Sequence, residues 1–259
     1  VIEATFVLAG AVTGFVVGVT GIGGGALMTP ILLLIFGVAP TTAIATDLWF
    51  AAITKLVGAR IHYRAGQVDW QVVKRLWVGS LPVSLGVVLL VSAGGVVVKA
   101  EWLTNIVIGV VMLTAFGLIF APRLFAAARS RRLSNPDRFK AMQPTLTVLV
   151  GATLGVCVAL TSVGAGALGT VMLMNLYPLR MTPHRLIATD LVHAIPLAVV
   201  AGTGYLLAGA VDWRMLASLL VGSIPAVIVG SRLAGRMPGR WLQVALALVL
   251  LSTGLKVLI

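Results

Sequence analysis

The tetrapeptide ATDL at residues 45–48 returns as ATDL at 188–191, and the same 143-residue offset pairs AGQVDW (65–70) with AGAVDW (208–213). In that register VGSLP (78–82) also meets VGSIP (221–225), and GIG (21–23) meets GAG (164–166). Four ungapped matches in one register mark a duplication, so the fold is built twice from one pattern.

That pattern is apolar. A helix that spans a bilayer needs about 20 mainly apolar residues. The first half offers 4–20, a short segment 26–36, then 41–61, 69–92 and 101–121. The second half offers 145–160, a short segment 167–176, then 182–207, 212–234 and 241–258. With 59% hydrophobic and 10% charged residues and a mean hydropathy of +1.09, the chain has too much apolar surface for one water-soluble core. The expected fold is an all-α membrane protein of about ten hydrophobic segments, five per half. Residues 1–121 form the first repeat, 122–144 a basic linker and 145–259 the second repeat. No basic leader or cleavage site precedes residues 4–20, which read as mature structure.

Charge orients the halves. The linker carries six Arg or Lys residues from Arg123 to Lys140 against one acid, Asp137, which places it in the cytoplasm. Counting outward, the 62–68 loop, flanked by Arg60, Arg64, Lys74 and Arg75, falls inside. Its repeat mate at 208–211, with only Asp212 and Arg214 nearby, falls outside. A loop that is basic in one half and nearly uncharged in the other is the mark of inverted-topology repeats, and it puts both termini on the non-cytoplasmic side. The net charge of +12 therefore belongs to loops and helix ends. No basic face with interleaved aromatics is present, and nucleic-acid binding is set aside.

Two glycine clusters, VTGIGGGALMTP (19–30) and LTSVGAGALGT (160–170), interrupt apolar runs at corresponding places. Runs of glycine disfavour continuous helix, and broken backbone at membrane depth is tolerated only inside protein or beside a wet cavity. Paired breaks at a repeat interface point to a binding site, where helix N-termini present free N–H groups to an anion. The candidate substrate-binding residues are Thr20, Gly21, Gly23, Gly24, Gly25, Thr161, Ser162, Gly164 and Gly166. The competing reading is that these glycines only let helices pack closely.

Asp47, Lys55, Asp190 and His193 are the ionisable residues set deepest in the spanning segments. Asp47 and Asp190 are repeat mates, and they either bind protons or orient the site, or else cap the neighbouring break. Lys55, whose mate is Ala198, is a counter-charge for an anion or a side chain snorkelling to the interface. His193, whose mate is Phe50, is a donor or proton relay, or a satisfied core histidine. Asp69–Trp70 and Asp212–Trp213 read as structural helix starts, with Asp as N-cap and Trp at the membrane boundary. Pro82 and Pro225 are expected to kink their helices. His62, at the basic end, is expected to be exposed. HExxH, GxSxG and paired catalytic carboxylates are missing, so neither an enzyme nor a cofactor or metal site is expected. The single cysteine, Cys157, excludes an intramolecular disulfide.

These residues resemble the TauE/SafE family, the sulfite exporter or sulfonate permease superfamily. The matching positions in the first half are GIGGG (21–25) with Pro30, ATDL (45–48), Lys55 with Gly58, His62, Gly66, Val68–Asp69–Trp70 and Gly79–Ser80–Leu81–Pro82. In the second half they are SVGAGALGT (162–170), Tyr177–Pro178, Thr189–Asp190, His193–Ala194–Ile195–Pro196, GAVDW (209–213) and GSIP (222–225). Ala167 and Leu168 depart from the first cluster's glycines, and Tyr205 replaces His62 in the second half. The resemblance implies movement of sulfite, sulfoacetate or a related organosulfonate without ATP hydrolysis. The resulting expectation is a secondary transporter in the inner membrane, exporting a small sulfur-containing anion by alternating access with protons as a coupling ion. The alternatives are a carrier of a cation or neutral solute with Asp47 and Asp190 as ligands, and a non-transporting membrane scaffold. The oligomeric state is not fixed by the sequence.

Overall fold

The computed structural model describes residues 3–20, 25–63, 68–92, 101–114, 116–117, 136–178 and 180–233. Helices account for nearly all of them: α1 (Ala4–Thr20), α2 (Gly25–Leu34), α3 (Pro40–Tyr63), α4 (Trp70–Ser92), α5 (Glu101–Thr114), α6 (Pro136–Thr161), α7 (Ala167–Leu176), α8 (Pro183–Leu207) and α9 (Trp213–Leu233). Nine of the ten expected segments are therefore helical, and the tenth (241–258) lies outside the described residues. The helix expected from Thr145 starts at Pro136, inside the basic linker, because residues 136–144 continue its turns into polar sequence. Among the described residues, α3, α4, α6, α8 and α9 are long and apolar enough to cross a membrane. Their outer faces expose Leu56, Val78, Leu149, Val199 and Val221, as a lipid-facing surface requires.

Asp69 and Asp212 start α4 and α9 as capping residues. The Val72 amide donates to Asp69 Oδ1 at 3.4 Å, and the Arg214 and Met215 amides each donate to Asp212 Oδ1 at 3.0 Å. Trp70 and Trp213, one residue on, are 45% and 57% exposed, which suits rings at a membrane boundary.

Packing crosses the repeat boundary. α1 lies along α9 of the other half, and α4 lies along α6. Lipid tails are as apolar as leucine, so helices in a bilayer associate through close packing rather than water release. Glycine supplies that closeness. Gly10 and Gly14 of α1 rest on the backbone of Leu219 and Ser223, and Gly151 and Gly155 of α6 rest on Leu76 and Ser80. Gly222 faces Val7 as Gly79 faces Val148. Leu76, Gly79 and Ser80 of α4 are the repeat mates of Leu219, Gly222 and Ser223 of α9, so the two crossings are copies of each other.

The most enclosed helices are α3 and α8, and they run antiparallel against each other. The Asp212 amide after α8 donates to Thr46 Oγ1 at 3.2 Å near the start of α3. At the other end the Asp69 amide after α3 donates to Thr189 Oγ1 at 3.0 Å near the start of α8. Each ATDL threonine thus receives the helix-start amide of the opposite half. Trp49 adds a bond from Nε1 to the Gly202 carbonyl at 3.1 Å. The principal apolar core surrounds this pair, with Ala45, Leu48 and Ala52 of α3 against Ala194, Leu197, Ala198 and Ala201 of α8.

Candidate functional site

The second glycine cluster breaks the chain. α6 ends at Thr161 and α7 begins at Ala167, and between them Ser162 (φ 58), Gly164 (φ 128) and Gly166 (φ 127) all take positive φ. That backbone region is strained for residues other than glycine, so the break is set by the local sequence. Thr161 closes the end of α6. Its Oγ1 lies 2.6 Å from the Cys157 carbonyl and accepts the Val163 amide at 3.0 Å, so this hydroxyl serves the break itself. Among the described residues no side chain caps the N-terminus of α7, whose N-cap is Gly166. In the first cluster α1 ends at Thr20 and α2 starts at Gly25. Gly21, Gly23 and Gly24 lie outside the described residues.

Around the 162–166 break the structure gathers Asp47, Lys55, Asp190 and His193, each no more than 2% exposed. Asp47 and Lys55 lie two turns apart on α3 and so share a face. Lys55 does not snorkel. Its Nζ donates to the Ala165 carbonyl at 2.9 Å inside the break, and its charge interacts with both Asp47 and Asp190. Asp47 receives Thr29 Oγ1 at 2.5 Å on Oδ2, with the Ser162 hydroxyl nearby. Asp47 Oδ1 and Ser162 Oγ have no hydrogen-bond partner among the described residues.

Asp190 sits against the first turn of α7. It faces the Gly166 amide without a closed hydrogen bond, and both of its carboxylate oxygens lack a partner among the described residues. A Cβ at Gly169 would stand 2.5 Å from Asp190 Oδ1, so the absence of a side chain there is what admits the carboxylate. His193, one turn along α8, has Nε2 3.0 Å from Ser80 Oγ, while Nδ1 is buried and unpartnered among the described residues. The Trp77 indole donates to the His193 carbonyl at 3.2 Å and ties α4 to α8 at this level. Buried polar groups are almost always satisfied in folded proteins, so five atoms without a partner among the described residues, around one buried lysine, single this place out as the candidate site.

The sequence did not single out Thr29, Ser80, Trp77 or Gly169. Thr29 stands in the quoted cluster VTGIGGGALMTP and Ser80 in the repeated VGS motif. Their roles depend on which helix crosses which, and helical spacing does not encode that. Gly164, named as a candidate, backs onto Cys157, where its added Cβ would lie 3.2 Å from the cysteine Cβ. Its part is in the turn.

Comparison with known proteins follows this arrangement. The family described as "Sulfite exporter TauE/SafE" matches residues 6–257. The chain is 36% identical over 259 residues to the "Probable membrane transporter protein YjnA" of Bacillus subtilis (strain 168), covering 98% of this chain and 99% of that protein. It is 28% identical over 247 residues to the "Probable membrane transporter protein YdhB" of the same organism, covering 95% and 96%. A "Probable membrane transporter protein" of Xylella fastidiosa (strain Temecula1 / ATCC 700964) is 26% identical over 88% of this chain and 83% of its own length. No solved structure matches. With a family match along nearly its whole length and a full-length relative above 30% identity, this multi-pass membrane protein belongs to the TauE/SafE family of membrane transporters.

Proposed function

We propose that the protein is a secondary transporter that exports a small sulfur oxyanion, such as sulfite, sulfoacetate or a related organosulfonate, across the inner membrane by alternating access with protons as coupling ions. The observation that carries this reading is Lys55, a cation 2% exposed and held 2.9 Å from a carbonyl of the broken backbone between the two halves. A buried ammonium is costly, and it is retained where an anionic partner uses it. Lys55, His193, Ser162 and the Gly166 end of α7 form the anion-binding side, with Thr20, Gly21, Gly23, Gly24 and Gly25 as its counterpart in the first cluster. Asp47 and Asp190 carry the coupling protons or brace the site.

The inverted arrangement of the repeats belongs to this reading. It is supported by the antiparallel contact of α3 with its mate α8 and by the matching crossings α1–α9 and α4–α6. With a cytoplasmic linker, this topology leaves both termini outside. Purified protein in proteoliposomes tests the function by counterflow of radiolabelled sulfite and sulfoacetate. Wild type is expected to exchange at least one of them, and Lys55→Met is expected to lose more than about tenfold of that exchange while remaining monodisperse. Exchange unchanged in Lys55→Met rules out this site.

A second reading has one observation in its favour. Three carboxylate oxygens of Asp47 and Asp190 have no partner among the described residues, as ligands awaiting a cation would. Protection against thermal unfolding separates the two. Sulfite or sulfoacetate protects an anion carrier, whereas divalent cations protect a carrier that uses the aspartates as ligands.

A further inference from the structure

Asp47 and Asp190 occupy the same place in the repeated ATDL motif, yet their surroundings differ. Asp47 is held from outside the broken segment, by Thr29 of α2 at 2.5 Å. Its counterpart Asp190 has no hydroxyl donor among the described residues. It leans instead on the N-terminal turn of α7, admitted by Gly169 and facing the Gly166 amide, within the field of Lys55. Position 172, which matches Thr29 in the repeat register, is Met172. The hydroxyl that fixes one carboxylate is therefore missing for the other.

The ground on which Asp190 stands is what an incoming anion needs. The uncapped α7 N-terminus and the Lys55 ammonium are the positive features of the site. The other ionisable groups facing Asp190 are few. α3 contributes Lys55, which Asp47 also faces, and α8 itself carries His193 one turn on. α7 carries no titratable residue, those of α4 are Lys74 and Arg75 near its start, and α6 has Cys157 as its one titratable residue beyond Lys140. Two carboxylates already face one ammonium, so an anion entering an unprotonated site adds a third negative group. At these depths such charges are weakly screened.

On this basis, and resting on the transport reading above, we infer that Asp190, rather than its repeat mate Asp47, is the seat of the coupling proton and a built-in competitor of the transported anion. A proton bound at an Asp190 carboxylate oxygen releases Lys55 and the α7 amides to the anion. When the anion leaves, Asp190 gives up the proton and takes back the same partners. Asp47, kept in place by Thr29, stays as the fixed counter-charge of Lys55. No covalent step is involved, and proton and anion travel together because one positive locus cannot serve two negative groups.

The test uses full-length protein in proteoliposomes loaded with a pH-sensitive dye, with labelled sulfoacetate and sulfite as probes. Wild type is expected to move protons with the anion, so that each unit of imposed pH gradient is worth up to about tenfold in anion accumulation for one coupled proton. Asp190→Asn, which imitates the protonated acid, is expected to retain measurable anion counterflow, to show no proton signal during net anion uptake, and to make exchange insensitive to pH. Asp47→Asn is expected to keep whatever proton signal accompanies its remaining net anion uptake. A proton signal that persists in monodisperse Asp190→Asn overturns the inference, as does counterflow abolished in that variant. If Asp190→Asn is not monodisperse, Asp190→Glu takes its place. A pH profile of counterflow displaced from wild type supports the inference, and an unchanged profile overturns it. Wild-type net anion uptake with no proton movement refutes the coupling and leaves the transport reading standing. Absence of wild-type counterflow with either probe refutes that reading, and this inference with it.

Discussion

Substituting Gly155 by alanine sets two opposing effects against each other, and the structure says which wins. A Cβ built on Gly155 of α6 would lie 2.6 Å from the Ser80 carbonyl oxygen and 3.1 Å from Ser80 Cα, both backbone atoms of α4 that cannot rotate away. Ordinary contact begins near 3.4 Å, so the helices must part by about 0.8 Å. A gap of that size forfeits a quarter to a half of each dispersion well. Across the several tens of atom pairs in a helix crossing, at about 0.1–0.2 kcal/mol each, the loss is about 2–3 kcal/mol. Alanine returns up to about 1 kcal/mol through its higher helix propensity. The net expectation is destabilisation by about 1–2 kcal/mol. Gly86→Ala on α4 is the matched control. No described atom lies within 4 Å of its added Cβ, so only the propensity gain of up to about 1 kcal/mol remains. Unfolding by SDS titration in mixed micelles, followed through tryptophan fluorescence, measures both. Gly155→Ala at or above wild-type stability, or Gly86→Ala destabilised to the same degree, would refute the argument that glycine is present to bring backbones together.

Thr46→Val and Thr189→Val each strand one amide, that of Asp212 or Asp69, and each is expected to cost about 1–2 kcal/mol in the same titration. Because the two bonds lie at opposite ends of the α3–α8 pair, the double variant is expected to show their sum. Asp69→Asn is expected to cost less than Thr189→Val. The Arg180 Nε contact to Asp69 Oδ2 at 2.7 Å comes from a side chain 41% exposed, and such pairs are worth about 0–1 kcal/mol, while asparagine still caps Val72. Thr29→Val removes the hydroxyl bound to Asp47 and is expected to lower stability by about 1.5–3 kcal/mol, read by the same assay. Gly166→Leu, at φ 127 and ψ −93, is expected to abolish sulfoacetate counterflow while the protein still inserts, as checked by size-exclusion chromatography of the extracted protein.

Much of the fold was legible in the sequence because lipid imposes simple rules. Apolar length gave the helices, and the bounds read for the first segment, 4–20, are those of α1. The repeat made the duplication plain, and glycine with positive φ explains the break at 162–166. The exchange of partners between halves was not legible. Nothing in the VGS motif says that Gly79 meets Val148 of α6, because hydropathy records exposure to lipid and not the identity of the neighbour. In the candidate site, Asp47, Lys55, Asp190, His193 and Ser162 were named from residue type and repeat register, and the structure gathers them at one locus. Their division of labour was hidden for a physical reason. Asp47 and Asp190 carry identical local sequence, and what separates them is a single hydroxyl, Thr29, on a helix one element away.

The glycine crossings also decide which bodies can move in a transport cycle. α1 and α9 meet backbone to backbone, as do α4 and α6, so each tight unit joins a helix of one half to a helix of the other. Rocking of residues 1–121 against 145–259 would tear both crossings, at the cost of the packing that holds helices together in lipid. Separation at either end of the α3–α8 pair is far cheaper. At the Asp69 end the tie that α8 makes to the opposite half is one threonine receiving one amide, and at the Asp212 end the Trp49 Nε1 bond to the Gly202 carbonyl joins such a bond, each worth about 1 kcal/mol. The two ends are not held alike, however. Asp69 carries Arg180, with Arg185 at 4.0 Å, while the positions equivalent to these arginines beside Asp212 are Gly37 and Thr42. The ion pair at the Asp69 end and the indole bond at the Asp212 end are each worth up to about 1 kcal/mol, or about fivefold in a two-state balance, so the two ends are held by different contacts of similar strength. In the proposed alternating-access cycle a duplicated scaffold would thus supply two similar closures, and the residues that break the repeat would hold each of them by a different contact.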